Sequence, residues 1–170
     1  MNNKKSDFIE APIPDNEKDR ICALQSLNIL DTEPEKRFDV ITKEAIKRFS
    51  VPISTITLID KNREWFKSMQ GLEKREGKRN VSFCGHALAY EVIFIVEDTL
   101  KDRRFALNPM VTGSPFIRFY AGKSLYEKNS RLPVGVFCIK DYKPRKFSMK
   151  DMNDFLDLAE RAEYEINKKI

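Results

Sequence analysis

The chain has 170 residues, 41% of them hydrophobic and 34% charged, with a formal net charge of +5. That is enough apolar material for one buried core and too much for a disordered chain. No apolar run approaches the roughly 20 residues a bilayer requires, and none follows the basic start Met-Asn-Asn-Lys-Lys-Ser, so a membrane span and a secretory signal are not expected and a cytoplasmic protein is.

Residues 1–14 read as a flexible N-terminal arm, because Pro12 and Pro14 bar regular helix, and 15–170 as a single domain. Asp15 is placed to cap a helix to about Asn28, with Ile21, Leu24 and Leu27 at helical spacing. Thr32 and Glu35 fit a capping box for a second helix carrying Phe38, Ile41, Ala45 and Phe49 on one face. From Val51 the period changes to two. Ile53 to Asp60 and Glu64 to Gln70 read as an antiparallel hairpin, followed by a mobile polar loop over 71–80.

Ser82 is placed to cap a short helix from Phe83 to Tyr90. Strands are expected at Ile93–Asp98, Phe116–Leu125 and Leu132–Lys140, with a loop over 101–115. Ser148 and Asp151 open a final helix whose apolar face holds Met152, Phe155, Leu156, Ala159, Ala162, Ile166 and Ile170. This order predicts an α+β fold: a central antiparallel sheet of five or six strands with helices packed on its faces.

The residues that could carry chemistry cluster in three places. Val81 to Leu88 holds the only histidine, His86, two residues from Cys84 and beside Phe83. In the first turn of a helix, unpaired backbone N–H groups favour a thiolate and lower the Cys84 pKa. Two ligands are too few for a metal, so none is expected. The alternative is a small buried thiol beside a histidine bonded to a carbonyl. Three cysteines cannot all pair internally, and reduced thiols are expected.

Asp98, Asp102 and Arg104 are suited either to orienting a polar ligand or to tying a loop down by ion pairs. Phe119 and Tyr120 lie in a strand whose aromatics could line a pocket or simply fill a core. The positive charge is interspersed with acids, as in Glu73-Lys74-Arg75-Glu76-Gly77-Lys78-Arg79. No nucleic-acid or membrane partner is expected from it.

Taken together, these segments resemble a GAF domain, most like the N-terminal sensor modules of bacterial histidine kinases and diguanylate cyclases. The resemblance is carried by Leu27 to Thr32, Val51-Pro52-Ile53-Ser54, Arg63 to Ser68, Ser82 to Ala87, Asp102-Arg103-Arg104-Phe105, Phe119-Tyr120-Ala121-Gly122 and Gly135 to Cys138. It implies a non-catalytic, small-molecule-sensing or regulatory module in bacterial signal transduction. An unknown small-molecule ligand would contact Phe83, Cys84, His86, Asp98, Asp102, Arg104, Phe119 and Tyr120. It also implies a homodimer through the terminal helices and, if the chain is a fragment, a kinase or cyclase output domain. No cofactor is named by it. Ser124 and Asn129 to Pro133 depart from the family pattern at the pocket rim.

Two other readings stay open. One is a free methionine-R-sulfoxide reductase-like enzyme using Cys84 and Cys138, although the cysteine-bearing segments of that branch are missing. The other is a ligand-free dimerisation or interaction domain.

Overall fold

The structure, a computed structural model, describes residues 8–169. The helices are α1 (Glu17–Ser26), α2 (Lys36–Phe49), α3 (Phe83–Ala87), α4 (Pro109–Thr112) and α5 (Met149–Asn167). The strands are β1 (Ile53–Ile59), β2 (Arg63–Gln70), β3 (Glu76–Lys78), β4 (Phe94–Val96), β5 (Phe119–Tyr126) and β6 (Pro133–Asp141). They form one six-stranded antiparallel sheet in the order β3-β2-β1-β6-β5-β4. This is the expected α+β architecture, with six strands.

Strand alternation divides the interior into two layers. On one face, Ile56, Leu58, Trp65, Phe119, Ala121, Phe137 and Ile139 meet α1, α2 and α5 in a large apolar core. Helix α2 presents Phe38, Ile41, Ala45 and Phe49 to it, as its 3.6-residue period requires. Helix α5 contributes Phe155, Leu158, Ala159, Ala162 and Ile166. Leu158 rather than Leu156 is the buried leucine, and Ile170 lies outside the described residues.

On the opposite face, Ile53, Ile59, Tyr120, Val136 and Cys138 meet α3, α4 and the loops around them. β1 lies between these layers and is buried at every position. β1 and, from Val134 onward, β6 are therefore covered on both faces, and a charged residue on them is buried.

Several local expectations change. α1 begins at Glu17 after Asn16, without a side-chain cap from Asp15. Thr32 and Glu35 do not form a capping box. The Thr32 hydroxyl donates to the Ile29 carbonyl at 2.7 Å, and Glu35 pairs with buried Lys67 at 2.6 Å. The stretch expected as a mobile loop over 71–80 contains β3, which pairs with β2 through Arg63–Lys78, Glu64–Gly77 and Trp65–Glu76. The stretch 101–115 contains α4, capped by the Asn108 side chain.

The far end of the expected N-terminal arm is tethered. The Ala11 N–H donates to the Asn80 carbonyl at 2.9 Å, and Ala11 is buried. Residues 1–7 of that arm lie outside the described residues. The capping box at Ser148 and Asp151 forms as expected.

Candidate functional site

The layer around α3 is where the sequence placed a ligand chamber. Ser82 caps α3 as expected, its hydroxyl accepting from the Gly85 N–H at 2.9 Å. The helix sits tightly on the sheet. Phe83 stacks on Phe105 with ring centroids 4.4 Å apart and on Tyr120 at 5.2 Å. Phe83, Phe105 and Tyr120 are all fully buried. The expected chamber under Phe83 is therefore filled by its own aromatic side chains.

Gly122 is needed there. A Cβ at that position would lie 2.3 Å from the Tyr120 hydroxyl, which crosses it to donate to Cys84 Sγ at 3.2 Å.

His86 is buried as well. Its Nε2–H donates to the Ile9 carbonyl at 3.0 Å, and its ring meets Phe105 edge-on at 4.8 Å. Burial holds the imidazole below its usual pKa against the pull of the Ile9 carbonyl, so a neutral ring fastens the arm over α3.

Cys84 does not have the lowered pKa expected of a helix start. Burial first, and then its hydrogen bond to Cys138, push the thiol well above its ordinary value. Desolvation of a fully buried sulfur outweighs a single turn of backbone N–H groups. Burial also opposes ionisation of Cys138. Cys84, Lys140 and the Thr55 hydroxyl, 3.0 Å away, outweigh it and bring that thiol down to about 7.

The charged candidates form structural pairs at the rim. Asp98 accepts from the Leu100 N–H at 3.1 Å and pairs with Arg118 at 3.1 Å. Asp102 pairs with Arg104 at 2.6 Å, and the Arg104 guanidinium lies 4.8 Å from the Phe94 ring centroid. Phe119 points the other way. It belongs to the helix-side core, while its neighbour Tyr120 faces α3. The strand period that places Tyr120 at the site removes Phe119 from it.

A cavity does exist on this face of the sheet, but further along it. It measures about 560 Å³, within the range of small-molecule sites. Its floor is Ile53 of β1, Glu64 and Phe66 of β2 and Lys140 of β6. The segment 71–78 forms one wall, and Val81, Met110, Pro115 and Ile117 form the other. None of Phe83, Cys84, His86, Asp98, Asp102, Arg104, Phe119 and Tyr120 lines it.

Its two polar floor residues were missed in the sequence. Glu64 is 2% exposed, and its Oε2 is buried without a hydrogen-bond partner among the described residues. Lys140 is 1% exposed, and its ammonium and the Glu64 carboxylate do not come within the 4.0 Å of an ion pair. Gly77 makes room for the carboxylate, since a Cβ there would lie 3.2 Å from Glu64 Oε1.

Burial pushes the Glu64 carboxyl above its ordinary pKa, against the pull of Lys140. Burial works against the Lys140 ammonium too, but Glu64 and then the two thiols hold it protonated. The floor thus presents a buried carboxyl with one unpartnered oxygen among the described residues and a buried ammonium outside ion-pair range of it. Such groups are costly unless something completes them. Among the described residues no group of three or more metal-ligating side chains is present.

No family model matches the sequence. Over 134 residues, 79% of the chain, it is 37% identical to a cyclic di-GMP phosphodiesterase of Pseudomonas aeruginosa, and it spans 23% of that protein's length. The GAF domain of the Acinetobacter phosphoenolpyruvate-protein phosphotransferase superposes with a TM-score of 0.63 at 20% identity, over 90% of this chain and 93% of that one. A type II free methionine-R-sulfoxide reductase from Thermoplasma acidophilum superposes with a TM-score of 0.62 at 11% identity, over 85% of this chain and 94% of that one. At these TM-scores the match is one of overall fold: the chain has the fold of a GAF domain.

Proposed function

We propose that this domain is a non-catalytic sensor module of bacterial signal transduction that binds a small molecule in the cavity floored by Glu64 and Lys140. The observation that carries this reading is the Glu64 Oε2, a buried polar atom with no partner among the described residues, at a cavity of about 560 Å³. The other buried side-chain atoms without a partner there belong to Arg20, Arg75 and Arg79, none of which lines the cavity. The likeness to part of a cyclic di-GMP phosphodiesterase supports placing such a module beside a signalling output domain, such as a kinase or cyclase.

A reductase reading has less support. Cys84 is fully buried, its thiol is pushed up rather than activated, and neither it nor Cys138 lines the cavity. A cytoplasmic location is part of the proposal. No helix among the described residues is long and apolar enough to cross a membrane.

Homodimerisation through α5 also belongs to it. Tyr164 is 65% exposed beside a groove it shares with Val40 of α2. Tyr164→Glu should halve the mass seen by light scattering.

Native mass spectrometry of the chain after a single purification step tests the sensing reading. The expected result is an extra mass that is lost on denaturation and absent from Lys140→Met. A wild-type chain that carries nothing, and whose melting temperature does not respond to a small-molecule extract of its host cell, would overturn it.

A further inference from the structure

Which class of molecule would complete this floor follows from its two charges, given the sensing role proposed above. Glu64 and Lys140 enter from β2 and β6, with β1 between them. Each is almost fully buried, and they are too far apart to neutralise each other directly. Ile53, Phe66, Leu72, Met110 and Ile117 supply apolar lining, and the 71–78 wall adds Glu73, Lys74, Glu76 and Lys78.

Different ligands would meet this pair differently. A simple anion would pair with Lys140 and place a second negative charge near Glu64. A simple cation would do the reverse at Lys140. A purely apolar ligand would desolvate both charges further and pair neither. A molecule with a cationic and an anionic group at one end, and an apolar body, answers both charges and fills the walls. Charge-assisted hydrogen bonds then form at each end, where the low dielectric strengthens them.

We infer that the cavity takes a small zwitterion with an apolar side group, the chemistry of a free α-amino acid, with its ammonium on Glu64 and its carboxylate on Lys140. The inward position of Gly77 fits this assignment. It leaves the Glu64 carboxylate room to lie against β3 instead of collapsing onto Lys140. Glu73, Lys74, Glu76 and Lys78 surround the mouth with both signs of charge, so the entrance does not select against a molecule of zero net charge.

The test is calorimetric titration of the wild-type chain with free leucine, methionine and phenylalanine. Each is compared with its N-acetyl derivative, which lacks the ammonium, and its α-amide, which lacks the carboxylate. At least one free amino acid should bind, and both of its derivatives should bind at least tenfold more weakly. Glu64→Gln should weaken the free amino acid and leave the N-acetyl derivative unchanged. Lys140→Met should weaken the free amino acid and leave the α-amide unchanged.

The derivative series on the wild type decides the matter even if a variant fails to fold. Derivatives binding as well as the parent would overturn the assignment. So would an absence of binding by all three amino acids in a chain that carries some other small molecule in native mass spectrometry. That last result would leave the sensing role standing and discard only the ligand class.

Discussion

Both faces of the sheet bury aromatic side chains, seven in the helix-face core and four on the α3 face, but spend them differently. The helix face is a continuous core. Phe49, Phe137, Phe147 and Phe155 interlock at ring-centroid distances of 4.8 to 6.1 Å beneath the helices. The α3 face mixes its aromatics with two thiols, threonine hydroxyls, a lone carboxylate and an ammonium, and closes incompletely over a cavity. Large helices bring long apolar stripes and can shut one face completely. Short helices and loops bring few apolar residues each, so the other face keeps space and buried polarity. One sheet thus provides stability on one side and a site on the other.

The sharpest way to break this contrast is to open a hole on each side. Phe155 and Phe83 are both fully buried. Phe155→Ala should cost about 4 kcal/mol, because the rigid helix layer cannot collapse into the gap. Phe83→Ala should cost less, about 3 kcal/mol, because Phe105 and Tyr120 can relax toward the adjoining cavity. Urea unfolding measures both, and a larger loss at Phe83 would mean that the α3 face is the stiffer core.

The charged clamp at the edge of the α3 face comes next. Glu17 of α1 is bonded by buried Arg20 at 2.8 Å and by buried Arg79. Burial pushes Glu17 up, but the two guanidiniums outweigh it and bring the carboxyl from 4.5 down to about 2. A depressed folded-state pKa adds stability that is complete above about pH 4.5 and is lost as the pH falls toward 2. Glu17→Gln strands two buried cations and should cost about 3 kcal/mol at neutral pH. The difference from wild type should shrink across that acid window, and a difference independent of pH would reject the clamp.

Lys140→Met tests the floor itself. The Glu64 carboxyl already titrates above its ordinary value, and without Lys140 it rises further. A raised folded-state pKa means that the folded chain binds more protons than the unfolded one, so stability falls as the pH rises above about 4.5. The variant should match wild type near pH 4 and lose about 2 kcal/mol by pH 7. Equal stability at both pH values would show that Glu64 does not feel Lys140.

Most of the fold was legible because its long elements obey their periods. The two-residue alternation of β1, β2, β5 and β6 and the stripes of α2 and α5 need no tertiary information. β3 and α4 were missed because three and four residues are too short to show a period. Phe119 was misplaced against a signal that was present, since adjacent strand residues cannot share a face. Glu64 and Lys140 were missed for a different reason. A charged residue in a strand ordinarily faces water, and these are buried only because β1 lies between β2 and β6 and both sheet faces are covered. Strand order supplied that, and strand order depends on pairings between distant segments.

The smallest effects sharpen the contrast at the level of single caps. Ser82 and Ser148 both cap helices, one on each side of the molecule. Ser82 is fully buried, and its hydroxyl donates to the Arg79 carbonyl at 2.8 Å while accepting from Gly85. Ser82→Ala therefore leaves the buried Gly85 N–H without its partner, while the Arg79 carbonyl keeps the Ser82 N–H at 3.1 Å, and α3 has too few turns to compensate. About 2 kcal/mol should be lost. The Ser148 cap is exposed, so water replaces what Ser148→Ala removes, and fourteen-residue α2 packs against α5 regardless. About 1 kcal/mol or less should be lost there. Native-state hydrogen exchange separates the two further. Ser82→Ala should raise exchange at α3 and at the tethered Ala11 N–H together, because the same turn holds both. If α3 loosens while Ala11 stays protected, the arm is fastened by His86 and Asn80 alone.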